Sequence, residues 1–143
     1  MNCFMLAIKA SSTSEITALV SGTPEKARRL ASRYSVPESS IYSYEQFDRI
    51  RENAGIDAVY IGLPNGMHAE YTIRAARAGK HVLCEKPMAT TVEEAKAMIV
   101  ACKLASRKLM IGYRCQLEPT TLHVKQLIQS GKLGNIHSIE IAN

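Results

Sequence analysis

The chain of 143 residues has no tryptophan, only two phenylalanines and an aromatic share of 6%. It also has no long basic run and no basic–aromatic alternation, so a nucleic-acid surface is not expected. No stretch approaches the roughly 18 uninterrupted apolar residues of a membrane-spanning helix. The first residues, Met1–Leu6, carry neither a basic leader nor a small-residue cleavage pattern, so no secretory leader is expected. The four cysteines, Cys3, Cys84, Cys102 and Cys115, show no C-x-x-C spacing and no histidine at zinc-finger distance. We therefore expect no metal site and a reducing, cytoplasmic setting. No glycine precedes Gly22, and neither solenoid-type repeats nor low-complexity segments occur.

What is present suits one globular core, with 46% hydrophobic and 22% charged residues. The net charge of +5 is concentrated near the ends of expected helices, as in Arg28, Arg29 and Arg33, Arg74, Arg77 and Lys80, and Lys103, Arg107 and Lys108. Cations there complement the helix dipole.

Short runs rich in β-branched and aromatic residues predict strands at Ile16–Val20, Ser40–Tyr42, Asp57–Leu63, His81–Cys84 and Leu109–Tyr113. Helical periodicity fills the intervals. Thr23-Pro24-Glu25 opens a first helix, Tyr44–Ala54 is a second ended by Gly55, and Asn65 caps a third ended by Gly79. In the third, Ala69, Ile73 and Ala76 share a face. Thr91-Val92-Glu93-Glu94 is a capping box for a fourth helix, whose buried stripe is Ala95, Met98, Ile99 and Cys102. Glu118–Ser130 is a fifth, with Val124, Leu127 and Ile128 inward and Gly131 as its stop, and Ile136–Ile141 reads as a last strand. Alternation of this kind predicts an α/β, doubly wound parallel sheet of Rossmann type.

In such sheets ligands bind at the carboxyl ends of the strands. Four polar clusters fall there: Ser21-Gly22-Thr23, Pro64-Asn65-Gly66-Met67-His68, Glu85-Lys86-Pro87, and Arg114. Each also has a plain structural reading. Asn65 can simply cap a helix, His68 can be an ordinary half-buried histidine, and Glu85 with Lys86 can be a surface ion pair. Pro87 can merely stop a strand, and Arg114 can clamp a carboxylate between domains. Their convergence on one edge carries the inference.

The text at these clusters resembles the N-terminal domain of the glucose–fructose oxidoreductase and inositol dehydrogenase family (Gfo/Idh/MocA), most of all its glucose–fructose oxidoreductase branch. The matching stretches are ALVSG at Ala18–Gly22, DAVYIGLPNGMHAEY at Asp57–Tyr71, AGKHVLCEKPMAT at Ala78–Thr90 and KLMIGYRC at Lys108–Cys115. The resemblance implies a NAD(P)-dependent oxidoreductase that moves a hydride between nicotinamide and a sugar or polyol. It implies that Lys86 is catalytic and that Pro64, Asn65, His68, Glu85, Pro87 and Arg114 line the cofactor, with Lys86–Pro87 a candidate cis peptide.

The dinucleotide type can be argued from chemistry. A NAD site usually ends its second strand with an acidic residue for the ribose hydroxyls, whereas here Ser21 stands there with Thr23 and Lys26 close by. A helix N-terminus and a cation suit a 2′-phosphate, so NADP is expected over NAD, although Lys26 also reads as a solvated helix residue.

Two departures stand against the family pattern. The family begins with a strand and a G-x-G-x-x-G/A loop, whereas Met1–Ser12 reads as the tail of the helix that should follow, with a rival strand at Cys3–Ile8. We therefore expect the sheet to lack its first strand and glycine loop, leaving the isolated chain marginal and aggregation-prone. The family also carries a C-terminal substrate domain that makes the oligomer. The expected division is thus a partial dinucleotide-binding domain over 1–135 and the start of a C-terminal substrate and oligomerisation domain over 136–143. Three functions remain open: part of an active sugar or polyol oxidoreductase, a non-catalytic remnant with weak dinucleotide binding, or one piece of a split enzyme.

Overall fold

The computed structural model describes residues 2–140, which fall into two compact units divided between Gly112 and Tyr113. Among the described residues of the first unit, five strands in two parallel sheets are interspersed with four α-helices. Helix α1 (Asn2–Lys9) is followed by β1 (Leu19–Val20), α2 (Pro24–Tyr34) and β2 (Ile41–Tyr42). Then come β3 (Ala58–Ile61), α3 (His68–Arg77), β4 (His81–Cys84), α4 (Val92–Leu104) and β5 (Leu109–Ile111). Strand β1 pairs with β2, and β3, β4 and β5 form the second sheet in that order, every pair parallel. Parallel pairing forces a crossover between neighbours, which α2, α3 and α4 supply.

The N-terminal segment is a helix, which settles the choice against a strand at Cys3–Ile8. Apart from His81–Cys84, the strands are shorter than the apolar runs that encode them, because each strand extends only as far as a partner pairs with it. Strands β1 and β3 both border one cavity of about 390 Å³, lined also by Met5 and Ile8 of α1. Into this region Phe4 lays its ring on that of Tyr60, with centroids 3.5 Å apart and planes 6° apart.

The second expected helix, Tyr44–Ala54, is a 3₁₀ segment over Phe47–Glu52. Ser43 and Gln46 exchange backbone-to-side-chain bonds of 3.3 Å at its entrance, and the bond from Asn53 N–H to the Ile50 carbonyl (3.2 Å) keeps the tighter winding at its end. Lys80 is buried, not a solvated helix-end cation, and donates to the Asn53 carbonyl at 2.9 Å. Asn65 does not cap α3: it opens a 3₁₀ turn (Asn65–Met67), and Met67 takes the capping position. Gly79 ends the helix with a φ of 79°, a left-handed conformation that glycine adopts without a Cβ penalty.

Helix α3 buries His68, Ala69, Tyr71, Thr72, Ala75 and Ala76, leaving Glu70 and Arg77 exposed. Helix α4 opens with Thr91 Oγ1 accepting from Glu94 N–H at 3.1 Å. The Glu94 carboxylate reaches Thr90 instead of Thr91, taking bonds of 2.9 Å from its N–H and 2.6 Å from its hydroxyl. These Thr90 bonds hold the carboxyl below its ordinary pKa.

The stripe on α4 is narrower than the sequence suggests. Met98 and Cys102 are buried, but Ile99 is 47% exposed because one further residue turns its side chain off the core.

The second unit holds a 3₁₀ turn (Arg114–Leu117) and α5 (Pro119–Gln129). Val124 and Ile128 are 47% and 37% exposed, contrary to the inward face expected for them, since no layer within this unit packs on that face. No strand forms over 136–140, where the described residues offer it no pairing partner, and residue 141 lies outside them. No helix among the described residues is long and apolar enough to cross a membrane.

The exposure difference on α4 gives a test. Met98→Ala should lower unfolding free energy by about 2–5 kcal/mol in urea titration. Ile99→Ala should cost less than about 1 kcal/mol. Equal losses would place both side chains on the core face.

Candidate functional site

The register of β3 against β4 determines what can meet at the carboxyl ends. Ile61 lies opposite Cys84, and the ladder continues through Glu85 N–H to the Ile61 carbonyl at 2.9 Å. On the other side Gly112 N–H bonds the Cys84 carbonyl at 2.8 Å. The turns after β3 and β4 therefore leave the sheet in step, with Pro64 and Asn65 on one and Lys86 and Pro87 on the other. All four are exposed.

Glu85 is half-buried and tied on both carboxylate oxygens. Oε1 accepts from the Tyr60 hydroxyl at 2.9 Å and Oε2 from the Lys86 N–H at 3.2 Å. Glu85 and Lys86 thus do not form the surface ion pair that the sequence also allowed: no salt bridge between them occurs among the described residues. The carboxylate fixes backbone instead, and the Lys86 side chain projects from an anchored turn. The Lys86–Pro87 peptide is cis. Tyr60 carries no motif of its own and sequence reasoning passed over it. Its signal would have been a hydroxyl placed on the strand adjacent to Glu85.

His68 is 1% exposed. Its Nδ1 lies 2.8 Å from the Pro87 carbonyl and its Nε2 2.9 Å from the Leu63 carbonyl. It is a fully buried residue between two turns, and both of its ring nitrogens are engaged by backbone.

The turn after β1 carries the second cluster. Ser21 Oγ accepts from Thr23 N–H at 3.1 Å and donates to the Thr23 carbonyl at 3.2 Å. Thr23 stands at the N-cap of α2 without a side-chain capping bond, and both it and Lys26 are exposed. No described hydrogen bond joins this cluster to the Glu85 turn. The link is by packing: a Cβ on Gly22 would lie 2.9 Å from Tyr44 Cε2, and Tyr44 meets Tyr71 of α3 edge-on at 5.6 Å. Arg114 belongs to the second unit, in its 3₁₀ turn.

Arg74, expected only to complement a helix end, proves to be a junction. It bonds Asp48 at 3.0 Å, Glu70 at 3.1 Å and the Tyr44 carbonyl at 3.1 Å, and lies over the Phe47 and Tyr71 rings at 5.0 and 4.9 Å. Bonding to Asp48 raises its pKa further. Among the described residues no group of three or more His, Cys, Asp or Glu side chains could hold a metal ion.

Residues 3–113 match the model of the oxidoreductase family Gfo/Idh/MocA, NAD-binding Rossmann fold. The chain belongs to this family. It is 40% identical over 130 residues to a D-xylose 1-dehydrogenase [NADP(+)] of Haloarcula marismortui, covering 91% of this chain and 36% of that enzyme. An aldose–aldose oxidoreductase of Caulobacter crescentus, solved with glycerol, superposes with a TM-score of 0.90 at 49% identity, covering 94% of this chain and 40% of that one. A dehydrogenase of Bordetella pertussis, solved with NADH and UDP-GlcNAcA, gives 0.81 at 28% identity over 92% of this chain and 37% of its own. The chain therefore spans less than half the length of these relatives, and the shared part is their NAD(P)-binding α/β fold.

The cysteines near this region are also distinguishable. Cys84 is 0% exposed, and loss of solvent pushes its pKa up to about 11, while Cys102 is raised by the same cause. At pH 8 about one Cys84 in a thousand would be thiolate. Treatment of the native chain with a disulfide reagent, followed by peptide mapping, should label exposed Cys115 and spare Cys84 and Cys102 until the chain is unfolded. Labelling of Cys84 as fast as Cys115 would contradict its burial.

Proposed function

We propose that this chain is the dinucleotide-binding part of an NADP-preferring oxidoreductase acting on a sugar or polyol. The observation that carries the reading is Lys86, an exposed ammonium on a turn braced by Glu85 and Pro87 at the carboxyl end of β4. The donor set suits the two ends of a dinucleotide. Ser21, Thr23 and Lys26 offer hydroxyls and a cation at the start of α2 for a 2′-phosphate. Pro64, Asn65, Glu85, Lys86 and Pro87 would border the nicotinamide half. Among the described residues no glycine loop offers pyrophosphate donors.

The bound cofactor supplies the hydride acceptor or donor. Lys86 would donate a hydrogen bond to the reacting hydroxyl or carbonyl oxygen and stabilise negative charge as it develops there. Glu85 would hold the Lys86 backbone still during that change, which keeps the ammonium oriented without reorganisation. The NADP-linked xylose dehydrogenase and the aldose–aldose oxidoreductase support the sugar class, and an oligomer is proposed only together with a substrate domain.

Because the chain has no tryptophan, NADPH fluorescence can be read directly. Titration should give saturable binding tighter than about 1 mM, with NADPH at least tenfold tighter than NADH. Lys26→Glu should remove most of that tenfold preference. Lys86→Met should lower sugar-dependent NADPH formation by about 100-fold or more while leaving NADPH affinity within about threefold. No saturable binding of either nucleotide would instead favour a remnant without cofactor affinity. Equal affinity for the two would overturn the NADP preference alone.

A further inference from the structure

The imidazole at the start of α3 is buried, and backbone engages both of its ring nitrogens. Leu63 follows β3, Pro87 follows β4, and the His68 ring spans their two carbonyls at 2.9 and 2.8 Å. Among the described hydrogen bonds this is the sole link between segment 62–67 and segment 86–90. Among the described hydrogen bonds the turn after β4 is otherwise held by Glu85 Oε2 on the Lys86 N–H and by Glu94 on Thr90, while Met88 and Ala89 pack against the core. Between these bonds the ring meets the Pro87 carbonyl.

Both partners of the ring are pure acceptors. A neutral imidazole can donate to one of them, and a doubly protonated ring can donate to both. A hydrocarbon of equal volume could fill the space but could donate to neither.

We propose that His68 is a positioning residue, a strut that sets the distance between the Pro64–Asn65 turn and the Lys86–Pro87 turn and so fixes where the Lys86 ammonium stands. It acts through the Pro87 carbonyl and does not itself touch cofactor or substrate. The role of Lys86 in the reaction rests on the function proposed above, whereas the strut can be tested without nucleotide.

Three substitutions separate the strut from simple packing. His68→Leu keeps volume and removes both ring nitrogens. In His68→Asn the amide nitrogen falls near the position of Nδ1 and retains the bond to Pro87. In His68→Gln it falls near Nε2 and retains only the bond to Leu63. Hydrogen exchange by mass spectrometry, on the nucleotide-free chain, should show segment 85–90 exchanging about tenfold faster in His68→Leu than in wild type. His68→Asn should recover most of that protection and His68→Gln little. An Ile50→Val control, a core change elsewhere, should leave the segment unchanged relative to the rest of the chain. Equal protection in all three variants would overturn the proposal.

If the variants do not fold, the wild-type ring remains readable by NMR. A His68 ring N–H protected from solvent exchange, with a cross-relaxation contact to Pro87, is expected, and its absence would overturn the strut. In the NADPH titration, His68→Leu should weaken binding about tenfold and His68→Asn by less than about threefold. If wild type binds no NADPH while the exchange pattern holds, the cofactor reading fails and the strut stands. If NADPH binds and segment 85–90 is insensitive to residue 68, the strut fails alone.

Discussion

The pairing of β3 with β4 is the constraint on which the site depends. Four residue pairs, from Ala58 opposite His81 to Ile61 opposite Cys84, place two strand ends level with each other. Buried Cys84 and Ile61 seal that end from within, so the chain has to turn outward on both strands at the same height. Glu85 and His68 then work at the two sides of one turn, the carboxylate on its first N–H and the imidazole on its Pro87 carbonyl. A slip by one residue would invert the faces of β4 and separate Lys86 from Pro64. The parallel ladder thus does more than hold a sheet, because it sets the coordinates of every exposed polar group around the turn.

Much of this was legible in the residues, for identifiable reasons. His81–Cys84 was delimited correctly because Gly79 and Lys80 punctuate one end and Glu85 the other. The segments α2, α3 and α4 announced themselves through Pro24, Gly79 and Thr91, whose backbone preferences are local properties. The family emerged from dense motifs at strand ends, where chemistry limits the choice of residue.

What was not legible depends on neighbours. Periodicity marked Ile99 and Val124 as apolar but could not say whether anything would cover them. The segment Ile136–Ile141 has the residues of a strand, yet a strand exists only where a partner supplies hydrogen bonds. Tyr44–Ala54 carries a helical pattern, while Ser43 and Gln46 close its entrance by side-chain bonds that only three dimensions reveal. For His68 the sequence left its alternatives open, ligand contact or a half-buried structural residue. Its actual partners, two carbonyls five and nineteen residues away, follow from a turn geometry that no local pattern encodes.

The absence of a side chain at Gly22 has a reach beyond its own turn. The Tyr44 ring occupies the space a Cβ would need, Tyr44 abuts Tyr71, and Tyr71 stands one turn along α3 from His68. Arg74 clamps the same stretch from the Tyr44 carbonyl and the Tyr71 ring. The hydroxyl-and-cation turn after β1 and the lysine turn after β4 therefore hang from a single helix, like two arms on one axle. A side chain at residue 22 would press on Tyr44 and, through Tyr71, on the helix that carries His68.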